Sequence, residues 1–287
     1  MTASYQCRVC GSSNTEYLGP LPEQAHFAGR LPAQKLPESG LYQCRSCLLL
    51  VRHPILSIVE YNTLYAQADS KVWSKNSVNL RPDQGLARNI ILNKFKGVCK
   101  VLDIGCYTGD LLSSLPENFL KYGVEMSTEA SVIASAKGIN IIGNDLYNIK
   151  TNDKFDFILS VDIIEHTCNP EEFLNKLSTL LEIDGEIFIS TGNCDHWFWQ
   201  HLKNRFWYSR FPEHISFIGM EWLEKFCKNN NFTITDKYFF NYSPNNIKSF
   251  IKNIIKFILS IIRVFPEYLS NTTRDHFCFI LKPVKTR

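Results

Sequence analysis

From residue 101 the chain reads Val-Leu-Asp-Ile-Gly-Cys-Tyr-Thr-Gly-Asp, and this stretch narrows the fold more than any other. An apolar strand runs into a tight turn with Gly105 and Gly109, and Leu111 and Leu112 then open a helix. Glycine permits positive φ and lets a ligand come close to the backbone, so the stretch predicts a βα unit with a binding turn. The flanking sequence keeps the pattern. Short apolar runs occur at Val101–Ile104, Lys121–Val124, Ile139–Ile142, Phe155–Val161, Glu186–Ser190, Phe232–Phe240 and His276–Leu281. Helical spacing separates several of them, at Ser127–Lys137, Glu171–Leu181 and Met220–Asn229. Strands alternating with helices predict parallel pairing and a doubly wound α/β sheet.

Two acidic residues sharpen the turn. Glu125 closes the next strand, 22 residues after Asp103, a spacing that suits an acceptor for ribose hydroxyls. The strand after that ends at Asn144-Asp145, again at the edge where open α/β sheets bind ligands. The glycine spacing is not G-x-G-x-x-G, which disfavours a dinucleotide enzyme.

Taken in order, Asp103–Gly109, Glu125, Asp145 and Phe155–His166 resemble the class I S-adenosylmethionine-dependent methyltransferases over about residues 98–283. The resemblance implies a Rossmann-like sheet of seven strands, the last antiparallel. It implies that Asp103, Gly105, Tyr107 and Gly109 border the methionine part of S-adenosylmethionine. Glu125 would take the ribose hydroxyls, Asp145 would face the adenine, and Ser160 would join the cofactor-binding set. Tyr107 departs from the pattern, standing where many members carry a middle glycine. It reads as a subfamily mark or, alternatively, as the sign of a pocket that no longer binds.

The first 52 residues are different in kind. Of ten cysteines, four form the pairs Cys7-x-x-Cys10 and Cys44-x-x-Cys47. Two such pairs complete a tetrahedral, closed and therefore structural zinc site. The 33 residues between the pairs exceed the usual spacing, but four prolines stiffen that loop and lower the entropy lost in closing it. A redox pair or simple buried cysteines are the other readings. Together with Tyr61 and Tyr65, this segment is similar to the N-terminal region of bacterial sugar methyltransferases, including those of surface-polysaccharide synthesis. The expected organisation is a small zinc-ribbon-like segment at 1–52, a helical connector at 53–97 with a break at Pro82, and a methyltransferase domain at 98–287.

Methyl transfer to a hydroxyl or carbon acid asks for a base, and histidine is the usual one near neutral pH. His214, in Phe211-Pro212-Glu213-His214, and His166, in Asp162-Ile163-Ile164-Glu165-His166, lie in informative contexts. By resemblance His214 is the first choice, with Glu213 beside it in the acceptor pocket and His166 second. Both could instead be structural. Asp162, Glu165, His166 and His214 could also hold a divalent cation, as in a similar arrangement of ubiquinone-type and small-RNA methyltransferases. The run His196–Phe211 holds three tryptophans and two arginines, which suit a nucleotide sugar or a lipid-linked sugar or, equally, a buried covering helix.

Between the last two runs, residues 246–265 form an amphipathic pattern whose charges (Lys248, Lys252, Lys256, Arg263) are all positive. Such a helix suits peripheral contact with the inner face of a membrane, or packing on the body of the protein. No run reaches the ~18 apolar residues of a membrane span, and the N-terminus lacks a signal core, so a cytoplasmic location is expected. A formal charge of +3 makes nucleic acid a poor expectation. The leading reading is a methyltransferase acting on a sugar hydroxyl or carbon. An RNA methyltransferase and a non-catalytic S-adenosylmethionine-binding module are the alternatives.

Overall fold

A computed structural model of the protein describes residues 5–28, 31–32, 36–66, 80–240 and 275–284. The N-terminal part forms strands β1 (Thr15–Pro20), β2 (Gly40–Cys44) and β3 (Leu50–His53), then helices α1 (Ile58–Ala66) and α2 (Pro82–Lys94). Alternation follows: β4 (Cys99–Ile104), α3 (Asp110–Ser113), β5 (Phe119–Val124), α4 (Thr128–Ala136), β6 (Asn140–Gly143), β7 (Phe155–Val161), α5 (Pro170–Ser178) and β8 (Leu181–Gly192). The remaining described elements are α6 (Trp197–Leu202), β9 (Ser216–Phe217), α7 (Met220–Asn230), β10 (Phe232–Phe240) and β11 (His276–Pro283).

The main sheet has seven strands in the order β10-β11-β8-β7-β4-β5-β6. β4 pairs parallel with β5 and β7, and β7 with β8, so the chain's sharpest motif lies at the centre of the parallel part. β11 slots antiparallel between β8 and β10, as expected for the last strand. Two boundaries differ from expectation. The helical pattern at 171–181 stops at Ser178, because Leu181 already pairs with Phe155 as the first residue of β8. Pro82 does not break a helix but begins one: it fills the first turn of α2, where a missing N–H costs nothing.

The cysteine segment is not an appendage. Its sheet runs β1-β2-β3-β9, and β9 comes from the far side of the sequence, pairing Ser216 with Val51 and Phe217 with Leu50. One continuous core joins Tyr5, Leu49 and Val51 to Ile164, Phe173 and Trp222, all buried. At ~1.5–3 kcal/mol for each fully buried large apolar side chain, that contact holds the two parts firmly. The opposite face of the main sheet buries Ala87 and Ile91 of α2 with Leu111, Ala134 and Phe157.

The aromatic run turns out to be mostly core. Phe198, Trp199 and Phe206 are buried against Leu41, Leu50 and Phe217, while Trp197 is 58% exposed. Residues 246–265, with the basic amphipathic pattern, lie outside the described residues. Among the described residues no helix is long and apolar enough to cross a membrane.

Candidate functional site

The candidate cofactor side is built from one turn and one carboxylate. Gly105, Tyr107 and Gly109 all take left-handed φ, at 73°, 51° and 75°. A side chain at Gly105 would run into Ile163, and one at Gly109 into Ile139 and Ala134, so tight packing as well as φ demands glycine at both. Tyr107 adopts the same conformation without being glycine, at a cost of about 1–2 kcal/mol. Glu125 locks the turn. Its Oε2 accepts from the Tyr107 N–H at 2.8 Å and its Oε1 from the Ser127 N–H at 2.7 Å. Each carboxylate oxygen keeps a second lone pair, which is what two ribose hydroxyls require.

Asp103 lies buried at the end of β4. Burial, with the Glu125 charge adding to it and Arg81 opposing, pushes its carboxyl up to about 8. Glu125 is also raised, chiefly by burial, while the N–H groups of Ser127, Tyr107 and Met126 oppose the shift. Two strained acids at the strand edge favour a ligand that brings positive charge, as the sulfonium and ammonium of S-adenosylmethionine would. Asp145 sits just past β6, with Oδ1 accepting from the Tyr147 N–H and Oδ2 from the Asn148 amide. Ser160 lies near the end of β7, fully buried, and its hydroxyl finds no partner among the described residues.

Sequence reasoning missed Arg81, placing it in the connector. Its guanidinium sits 3.1 Å from both Asp83 and Asp162. Asp162 thereby falls outside the cation set expected with Glu165, His166 and His214. Asp162 has a φ of 54°, residues 164–166 make a single 3-10 turn, and the Asp162 carboxylate faces Arg81. Burial still raises Asp162 to about 7 against the pull of Arg81. An Arg-Pro-Asp sequence opening a helix was the available signal.

The residues expected to face an acceptor come together from four distant segments. The His166 and His214 rings lie 5.0 Å apart in an edge-on arrangement. Nδ1 of His166 meets the Glu213 carbonyl at 2.9 Å and the Tyr65 hydroxyl at 2.8 Å, and Nδ1 of His214 meets the Tyr208 carbonyl at 2.8 Å. A carbonyl oxygen can only accept, so Nδ1 carries the proton in both rings and Nε2 keeps its lone pair. Burial lowers both histidines, His214 far below the usual range with the His166 charge adding to it. Both are therefore neutral at neutral pH, in the tautomer a base or a metal ligand needs.

Glu165 is buried between them and the sheet. It accepts from the Tyr208 hydroxyl through Oε1 and from Thr191 through Oε2 at 2.9 Å. Glu165, His166 and His214 present ligand atoms within 4.8 Å of one another, and this set could hold a cation. The Glu213 side chain is buried, pushed up by burial, and its Oε2 has no partner among the described residues. Tyr208 went unnoticed in the sequence, because its neighbours in the chain made it one more aromatic.

The four cysteines do converge. Cys7 and Cys47 sulfurs lie 3.7 Å apart and those of Cys10 and Cys44 3.5 Å. A zinc ion with Zn–S bonds of about 2.3 Å needs sulfurs about 3.8 Å apart, so the cluster fits one. The Cys47 thiol beside Cys7 holds Cys7 down to about 4, toward the thiolate that binds metal.

A family model described as a methyltransferase domain matches residues 72–237, more than half of the chain. The chain belongs to the methyltransferase-domain family. Among curated relatives, this methyltransferase is 27% identical over 187 residues to the mitochondrial ubiquinone biosynthesis O-methyltransferase of Dictyostelium discoideum, covering 56% of this chain and 58% of that one. To the (S)-tetrahydroprotoberberine N-methyltransferase of Eschscholzia californica it is 32% identical over 124 residues, covering 39% and 35%. The chain thus spans less than two thirds of either relative's length. A crystal structure of coclaurine N-methyltransferase bound to N-methylheliamine and SAH superposes with a TM-score of 0.50 at 13% identity, covering 79% of this chain and 81% of that one. That likeness shows the shared fold.

Proposed function

We propose that this methyltransferase transfers methyl from S-adenosylmethionine to a hydroxyl of a small-molecule acceptor, a sugar of surface-polysaccharide synthesis being the substrate class we favour. The carrying observation is the pair of half-buried His166 and buried His214, neutral, with Nδ1–H held on backbone carbonyls and Nε2 left to accept a proton. When bound, S-adenosylmethionine supplies an activated methyl that needs no acid at its leaving sulfur. His214 Nε2 takes the acceptor proton as the oxygen attacks, and His166 orients the same hydroxyl. Glu213, with an open buried oxygen, accepts from a second hydroxyl of the acceptor. The O-methyltransferase relative supports oxygen as the methylated atom. The sugar class rests on the resemblance of the cysteine segment, and we place a structural zinc ion on Cys7, Cys10, Cys44 and Cys47.

A second reading has its own observation. The Glu165, His166 and His214 ligand atoms lie close enough for one divalent cation, which would lower the acceptor's pKa in place of a free base.

Purified protein, methyl-labelled S-adenosylmethionine and a cell extract split into nucleotide sugars, lipid-linked saccharides, quinone precursors and RNA test the proposal. Label in either sugar fraction is the expected result. Label confined to quinone precursors or RNA overturns the substrate class, and turnover abolished by a chelator while the cysteine metal stays bound favours the cation reading.

A further inference from the structure

We propose that Arg8 and Arg52, both outside the seven-stranded sheet, are positioning residues that hold the His166 turn and the His214 loop in register with each other. Arg8 lies inside the first Cys-x-x-Cys pair, and its planar guanidinium spans three segments. Nε donates to the Cys168 carbonyl at 2.9 Å, Nη1 to the Arg52 carbonyl at 3.1 Å, and Nη2 to the Ile215 carbonyl and, at 3.2 Å, to Ser216 Oγ. Ser216 Oγ in turn donates to the Thr167 carbonyl at 2.7 Å, directly beside His166.

Arg52, buried in β3, continues the arrangement along the loop. Nε donates to the His214 carbonyl at 3.1 Å, and Nη2 to those of Ser209 at 2.7 Å and Phe211 at 3.0 Å. Residues 211–215 belong to no helix or strand, so no regular ladder satisfies these carbonyls. Backbone N–H groups reach two of them, Phe211 from His214 and Ile215 from Arg52, and the two arginine forks add the bonds that tie all four to the cysteine segment. A lysine, with one compact ammonium, cannot span three carbonyls from separate segments. The cysteine centre fixes the backbone at Arg8, so it sets where both histidines stand. Among the described residues, none of these hydrogen bonds reaches the Asp103–Gly109 turn or Glu125.

The proposal rests on the reading that both histidines face the acceptor, but its test needs no acceptor. The full chain, labelled with 15N-histidine, is compared with Arg8→Met, Arg8→Lys and Arg52→Met. The readouts are the imidazole nitrogen signals, S-adenosylhomocysteine affinity by calorimetry, and bound zinc by elemental analysis. In Arg8→Met the His166 and His214 signals should shift or broaden. Arg8→Lys should fall between, zinc content should hold, and S-adenosylhomocysteine affinity should stay within about twofold. Unchanged imidazole signals overturn the proposal. So does a fall of about tenfold or more in S-adenosylhomocysteine affinity, which would make Arg8 a support of the whole domain. Loss of zinc from the variant overturns it too, because the effect would then run through the cysteines. Should Arg52→Met fail to fold, the half-buried Arg8 still decides the matter. Turnover retained by His214→Ala would defeat the functional reading while leaving these signals, and this proposal, untouched.

Discussion

The two halves of the site are made in opposite ways. The cofactor side is local: Asp103 to Glu125 is one βαβ stretch, and its key contact, Glu125 to the Tyr107 N–H, closes over 18 residues. The proposed acceptor side is assembled from Arg8, Arg52, Tyr65, Glu165–His166 and Tyr208–His214, with contacts such as Tyr65 to His166 crossing 101 residues. A local turn can be specified by glycine placement and one carboxylate, because the strand and helix on either side fix everything else. The acceptor side depends on buried polar contacts between segments that meet only after the chain has folded. On the proposed assignment, cofactor chemistry can be kept while the acceptor is changed, since the two are held by different parts of the fold.

The largest expected effect tests that separation from the acceptor side. His214→Ala should lower turnover by roughly 10²–10⁴-fold while S-adenosylhomocysteine binds as before. Calorimetry beside a labelled-methyl assay checks it, and retained turnover at neutral pH rejects the base. From the cofactor side, Glu125→Ala removes the proposed acceptor of two ribose hydroxyls and frees the Tyr107 turn. Affinity for S-adenosylhomocysteine should fall by roughly 10²-fold, with the histidine signals unchanged. If they move as well, the halves are coupled and the comparison breaks.

A pH measurement sharpens the contrast further. Asp103 has a folded pKa of about 8, above the unfolded value of ~3.9, so the folded state keeps a proton that the unfolded chain gives up. Its contribution to stability is fully present below pH ~4 and is lost as pH rises toward 8. Without cofactor, Asp103→Asn should therefore be more stable than the parent, by a margin growing about 1.4 kcal/mol per pH unit across that window. Urea unfolding at pH 6 and pH 8 reads the margin, and a constant one would show that Asp103 is not strained. The histidines run the other way: their folded pKa values lie below the unfolded ~6.5, so they cost stability as pH falls below that value.

The smallest effect concerns Tyr208, whose hydroxyl reaches Glu165 and whose carbonyl orients His214. Tyr208→Phe removes the first contact and leaves the second. Unfolding free energy should drop by about 1–2 kcal/mol with His214 signals little changed. A loss confined to turnover would instead place the hydroxyl among the groups that touch the acceptor.

What the sequence alone determined is whatever depends on short-range rules. Strand and helix periodicity located the seven strands of the main sheet, glycine spacing located the turn, and a strand-end acid located Glu125. Paired cysteines announced their own meeting, since sulfur at that spacing has few other uses. The tertiary structure decided the rest. It turned Asp162 toward Arg81, buried Phe198 and Phe206 that could have been a sugar platform, and completed the cysteine-segment sheet with Ser216–Phe217. It also brought Arg8 and Arg52 to the histidine loop. None of these can be read from periodicity, because an arginine's partner is whichever buried carbonyl the fold leaves unsatisfied, and that is known only once the chain has closed around it.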